Sequence, residues 1–180
     1  MCIRDRLGTD LAGLDHLALA GAPGAGGLTL LPYLDGERTP DLPDATGTLS
    51  GLTRSNATPE NLARAAVEGM LCNLVNGVDA LRRHGVAVDR VLLIGGAAAS
   101  RAVREIAPGL FGAPVVVPAP GEYVGIGAAR QAAWALSGEA APPTWPLEVD
   151  SEYAVAAGQE AASADVVAHY QALVASTHGV

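Results

Sequence analysis

Cysteine and histidine are too sparse in this 180-residue chain to organise it. Two distant cysteines, Cys2 and Cys72, offer no disulfide framework, and His16, His84, His169 and His178 share no metal-ligand spacing. A reducing, cytoplasmic setting is expected, with no metal held by the chain. Runs of basic residues are also missing: the formal net charge is -8, which argues against binding a nucleic-acid phosphate backbone, a task that needs a positive stripe. No apolar run approaches the ~20 residues that span a bilayer, and no signal peptide precedes the first charged residues. Neither nucleic acid nor membrane is an expected partner.

What the chain does have is apolar content, 49% of its residues, enough for a domain-sized core. Its centre is the stretch from Arg90 to Pro118, RVLLIGGAAASRAVREIAPGLFGAPVVVP. Val91 to Ile94 is a short apolar run that ends in Gly95 and Gly96, and Pro114 to Val117 is a second such run closed by Pro118. Both read as interior strands. Between them Ser100 is a helix cap, Ala102, Val103, Ile106, Ala107 and Leu110 share one face, and Gly112 ends the helix. The unit is β-turn-α-β. A right-handed crossover makes its strands parallel and puts the glycine turn at the carboxyl end of the first, where open α/β sheets hold ligands. Adjacent glycines let a flat ring or a phosphate approach the backbone, and Ala97 to Ala99 keep the following surface small. The plainer reading, a tight turn under a packed helix, has equal standing on spacing alone.

The opening hexapeptide, MCIRDR, has no periodic continuity with the residues after it. It reads as a frayed terminus or as foreign sequence resembling adapter read-through, expected to pack against nothing; on the second reading the true protein begins upstream. Leu11, Leu14 and Leu17 then recur at helical spacing, and Gly21 to Gly27 reads as a flexible linker, because GAPGAGG lacks the Gly-Lys-Ser/Thr ending of a phosphate loop. Leu28 to Leu34, interrupted by Pro32, is an extended or edge segment leading into the exposed loop GERTP, with Glu37 beside Arg38 as a surface pair. Residues 41–48 are irregular and 48–53 form a short strand.

Thr58-Pro59-Glu60 starts the clearest helix, which runs to His84-Gly85 with Leu62, Ala66, Met70, Leu74, Val78 and Leu81 as its buried stripe. Glu68 and Asp79 are expected to be solvated or ion-paired, and Gly69 and Gly77 to mark close packing. Glu122 to Ser137 reads as a helix with Ile126, Ala129, Ala133 and Leu136 on one face. Gly125-Ile126-Gly127 is not a dinucleotide fingerprint, since Arg130 stands where a third glycine belongs. A proline-rich linker, 140–146, precedes a last helix, Asp165 to Ser176, with Val166, Tyr170, Leu173 and Val174 inward.

Five pieces, LTLLPYLDGERTP, the RAAVEGM helix, VLLIGGAAAS, FGAPVVVP and GAARQAAWALSG, stand in the order and spacing of the carboxyl-terminal domain of FGGY carbohydrate kinases. The chain resembles that family over about Gly27 to Gly138, and within it most the branch acting on xylulose. The resemblance implies an α/β, actin-like (ribonuclease H-like) ATPase domain truncated at its amino-terminal strands. It spans residues 7–140, after 1–6 of foreign origin and before a linker and terminal helix, 141–180. In such kinases the glycine turn and the start of the next helix hold the adenine of ATP, which carried over here means Gly95, Gly96, Ala97 and Ser100. The chain departs from the family at Ala97, where a third glycine is usual, and at Ile126, where an aspartate is common.

The resemblance also implies phosphoryl transfer from ATP, with Mg²⁺, to a ketopentose, giving xylulose 5-phosphate from D-xylulose. The catalytic aspartate, the phosphate loop and the sugar contacts fall in a missing amino-terminal domain, so no catalytic or metal-binding residue is expected in this chain and the fragment alone is expected to be inactive. A homodimer is an open arrangement. Three alternatives stand beside this: a kinase of the same family acting on another sugar or polyol, a non-catalytic actin-like interaction domain, and, last, a dinucleotide-binding domain, for which Glu122 lies too far from the turn.

Overall fold

The computed structural model describes residues 2–179. Two helices, α1 (Cys2–Arg6) and α2 (Leu11–Ala20), precede an antiparallel pair of short strands, β1 (Thr29–Leu31) and β2 (Thr48–Ser50). The long helix α3 (Pro59–Arg83) leads into β3 (Val91–Leu92), α4 (Arg101–Phe111) and β4 (Val115–Pro118). Then come α5 (Tyr123–Ser137), β5 (Val149–Tyr153) and α6 (Glu160–His178). The second sheet has the order β3-β4-β5, with β3 parallel to β4 and β5 antiparallel to it. This is the mixed α/β arrangement expected, and it contains the predicted β3-turn-α4-β4 unit.

Helix α3 is the axis of packing, in contact with α2, α4, β1 and α6. Its start is chemically specified: the Thr58 hydroxyl accepts from the Asn61 N–H at 3.3 Å, and Pro59, which has no N–H to leave unpaired, occupies the first turn. Its buried face matches the expected one only in part: Leu62, Ala66, Met70 and Val78 are half-buried against the core. Leu74 and Leu81 are exposed, while Arg64, Val67, Glu68, Leu71, Cys72 and Val75 point inward. The reason is steric. A Cβ on Gly69 would lie 2.2 Å from the Leu30 carbonyl oxygen, so the backbone of β1 sits directly on α3 at a point only glycine allows. Gly77, by contrast, faces open space, so close packing holds at only one of the two glycines.

The loop after α2 is pinned. The Gly24 N–H donates to Glu68 at 3.1 Å, and the buried Asn56 amide donates to the Gly26 and Gly51 carbonyls at 3.0 and 2.8 Å. It is therefore no loose linker. Nor are Glu37 and Arg38 paired: the Glu37 carboxylate accepts from the N–H groups of Arg38 and Thr39 and from the Asn73 amide, organising its own loop. Met1 lies outside the described residues, but α1 touches α3, so the expectation of an unpacked opening segment is not met.

Further expectations fail. Residues 141–180 are more than a linker and a helix: they contain β5, which pairs Tyr153 with Val115 and Ser151 with Val117 to complete the sheet. Helix α6 begins at Glu160, earlier than expected, and buries Val166, Tyr170 and Val174 against α3, α4 and β1, with Leu173 half-buried. The central strand of the sheet is β4, buried along its whole length, whereas β3 is an edge strand with Leu92 and Ile94 exposed. Helix α5 buries no residue: of the expected face Ile126, Ala129 and Leu136 are exposed and Ala133 is half-buried.

Candidate functional site

The site grows from the end of β3. Leu93 donates its N–H to the Val116 carbonyl at 2.9 Å, which anchors the strand to β4, and the chain then turns at Gly95 with φ +87° and ψ −176°, a backbone shape that side chains disfavour. One turn of 3-10 helix, Gly96–Ala99, leads on to Ser100, which caps α4 by accepting from the Val103 N–H at 3.2 Å. Ala98 is buried under the turn, while Gly95, Gly96, Ala97 and Ala99 face outward.

Gly96, Ala97 and Ser100 line one wall of a cavity of about 590 Å³. The rest of the lining comes from Leu11, Leu14 and Asp15 of α2, from Val67 and Met70 of α3 and from Arg4 of α1. The volume is in the range that small organic ligands occupy, and the lining is mostly apolar with a few polar groups, the usual character of such sites. A Cβ on Gly96 would meet no heavy atom within 4 Å, so that position opens on space rather than on packed structure. Three of the four residues assigned from the sequence are thus brought to one cavity. Gly95 is not on its lining; it supplies the turn that aims the others.

Two residues that sequence reasoning missed hold this turn from either side. Asp15 accepts from the Ser100 hydroxyl through one carboxylate oxygen and from the Arg101 N–H, at 2.7 Å, through the other. A carboxylate there satisfies an otherwise open donor at the start of α4 and meets the positive end of the helix dipole. On the other flank the Arg104 guanidinium donates to the Ala98 carbonyl and reaches Asp150 at 3.2 Å and Ser151 at 3.4 Å on β5. No local signal could have shown either contact, since Asp15 lies 85 residues from Ser100 and β5 itself carries no clear strand pattern.

Two acids on α3, Glu68 and Asp79, are engaged in structure, as expected. Glu68 pairs with Arg64 at 2.6 Å, and Asp79 with Arg82 at 3.1 Å. Burial pushes the Glu68 carboxyl above the usual carboxylate range, against the opposing pull of the Arg64 charge and of the hydrogen bonds from Arg64 and Gly24. The Cys72 thiol, buried beside it, is pushed up to about 12 and is no nucleophile. Among the described residues no group of three His, Cys, Asp or Glu side chains could hold a metal ion, and no helix is long and apolar enough to cross a membrane.

Residues 5–136 match the FGGY family of carbohydrate kinases, C-terminal domain. The chain is 38% identical over 129 residues to the xylulose kinase of Haemophilus influenzae, covering 72% of this chain and 26% of that protein. It is 37% identical over 145 residues to the glycerol kinase of Alkalilimnicola ehrlichii, covering 79% of this chain and 29% of that one. The crystal structure of xylulose kinase from Bifidobacterium adolescentis superposes with a TM-score of 0.81 at 49% identity, over 96% of this chain and 33% of that chain. The chain therefore spans about a quarter to a third of the length of these relatives.

Proposed function

The chain belongs to the FGGY family of carbohydrate kinases and has the actin-like ATPase fold of their carboxyl-terminal domains, and we propose that it is the ATP-holding part of a cytoplasmic kinase that phosphorylates a ketopentose, D-xylulose in the first place. The observation that carries the reading is the apolar cavity walled by Gly96, Ala97 and Ser100 at the carboxyl end of a parallel strand. Adenine lies against Gly96, where no side chain stands in its way, and Leu14, Val67 and Met70 supply apolar lining around the ring. Removing water from both faces of a flat apolar ring is what such a slot does well, and the result is positioning of the nucleotide, not chemistry on it.

The described residues offer no ligand set for Mg²⁺, and no step through the ion is assigned to them. Among the described residues Glu68 and Asp79 are committed to arginines and do not line the cavity, and Asp15, which does, is engaged by Ser100 and Arg101, so no proton transfer from the sugar hydroxyl is assigned to them. The contribution of this chain is to bind and orient ATP; the acceptor is held elsewhere in a complete enzyme. The xylulose kinases among its relatives favour D-xylulose. The similarity to a glycerol kinase keeps a second reading open, a polyol as acceptor.

Gly96→Val tests the assignment cleanly, because the new side chain enters open space and should leave the fold intact. In the complete enzyme its initial rates should show a KM for ATP raised at least tenfold, with the KM for sugar little changed. An unchanged dependence on ATP would mean that the glycine turn is only a turn. Rates with D-xylulose, glycerol and gluconate in parallel decide the acceptor.

A further inference from the structure

We propose that Asp15 is a positioning residue for the cavity: reaching from α2, its carboxylate fixes the glycine turn and the first turn of α4 in the shape that receives the base. The proposal rests on the reading of that cavity as a nucleotide site.

The geometry is specific. Each carboxylate oxygen has one partner, the Ser100 hydroxyl on one side and the Arg101 N–H, at 2.7 Å, on the other. Ser100 is at the same time the cap of α4, accepting from Val103, so its hydroxyl is used as donor and as acceptor within the protein. Its proton is committed to Asp15, and toward the cavity it can offer only a remaining lone pair. The assignment of Ser100 as a nucleotide contact is thereby sharpened: its main role is to connect the turn to α2.

That connection joins two parts of the lining. Leu11, Leu14 and Asp15 of α2 and Gly96, Ala97 and Ser100 of the turn all line the cavity, and they meet where Asp15 bonds Ser100. The Asp15 bonds tie the turn to α2 at that edge, and so fix how the two parts are set against each other around a flat ring. Apolar contacts alone do not do this, because they are non-directional and tolerate sliding, whereas a carboxylate with both oxygens engaged admits one arrangement. Arg104 braces the turn from the side of β5 through the Ala98 carbonyl, so loss of Asp15 frees one flank while the other stays tied. The expected consequence is a looser turn, not an unfolded protein.

The test uses the 180-residue chain, with ADP as the probe, in two measurements: titration calorimetry and amide hydrogen exchange without ligand. Asp15→Ala should weaken ADP binding at least tenfold and speed exchange across residues 96–101 by a similar factor, leaving exchange in α6 unchanged. Asp15→Asn, whose amide oxygen can still accept one of the two bonds, should fall between wild type and Asp15→Ala in both. If Asp15→Ala fails to fold, Asp15→Asn, which keeps one of the two bonds, carries the same two readouts.

Faster exchange spread evenly over the chain would reduce Asp15 to a general stabiliser and overturn the proposal. So would a loosened turn with unchanged ADP affinity. A wild-type chain that fails to bind ADP counts against the nucleotide reading, and the ligand-free exchange data still decide whether Asp15 holds the turn.

Discussion

Helices α4 and α5 are both rich in apolar residues, yet α4 buries seven of its eleven residues and α5 none of its fifteen. The difference lies in arrangement. In α4, Ala102, Val103, Ile106, Ala107 and Leu110 form one stripe, and Arg101, Arg104 and Glu105 lie off it, so one face is for the core and one for water and ion pairs. In α5, YVGIGAARQAAWALS, Arg130 is the only charged residue and apolar side chains point in all directions. Val124 and Leu136 are among the most exposed of the large apolar residues. Hydrophobic content has no direction; a stripe does, and only a stripe tells a helix which way to face.

Leucine truncation on the two helices probes this difference most strongly. Leu110, 6% exposed, should cost about 3 kcal/mol when changed to alanine, the loss of buried methyl groups plus the cavity left behind. Leu136, 90% exposed, should change stability by no more than ~0.5 kcal/mol. Urea unfolding of Leu110→Ala and Leu136→Ala measures both, and a comparable cost at Leu136 would show that α5 is packed after all.

A smaller contrast of the same kind exists within α3. Gly69→Ala forces a methyl group against the Leu30 carbonyl and should destabilise by ~2 kcal/mol, since strand backbone cannot step aside as a side chain can. Gly77→Ala meets nothing and should stabilise by up to ~1 kcal/mol through helix propensity. Equal effects at the two sites, measured by thermal unfolding, would mean that β1 does not lie on α3 as described.

The subtlest expected effect is on pH dependence, and it separates the buried face of α3 from its exposed one. With its folded value raised, the Glu68 carboxyl holds a proton more tightly in the folded chain than in the unfolded one. The stability it contributes is complete below the ordinary carboxylate value of 4.5 and is lost as pH rises through the raised folded value. Urea midpoints of wild type relative to Glu68→Gln should therefore fall on going from pH 4.5 to neutrality. A difference that stays flat or rises would show that the Arg64 charge outweighs burial.

Local chemistry makes much of the chain legible in advance. Thr58-Pro59 announces α3, Ser100 and Gly112 bracket α4, and the glycine pair after Val91–Leu92 points to the turn that walls the cavity. Each of these signals acts within three or four residues, through a cap, a missing N–H or a permitted φ, and so is written where it acts. The buried face of α3, the strand β5 and the Asp15 bond to Ser100 are not legible. They depend on which surfaces meet after folding, when the missing side chain at Gly69 lets β1 approach and a carboxylate from α2 reaches a helix start 85 residues away. The sequence by itself determined where most of the elements begin and end. Only the tertiary structure decided which faces are buried and what closes the cavity, because those outcomes are set by the fit of distant surfaces and by desolvation shared among them.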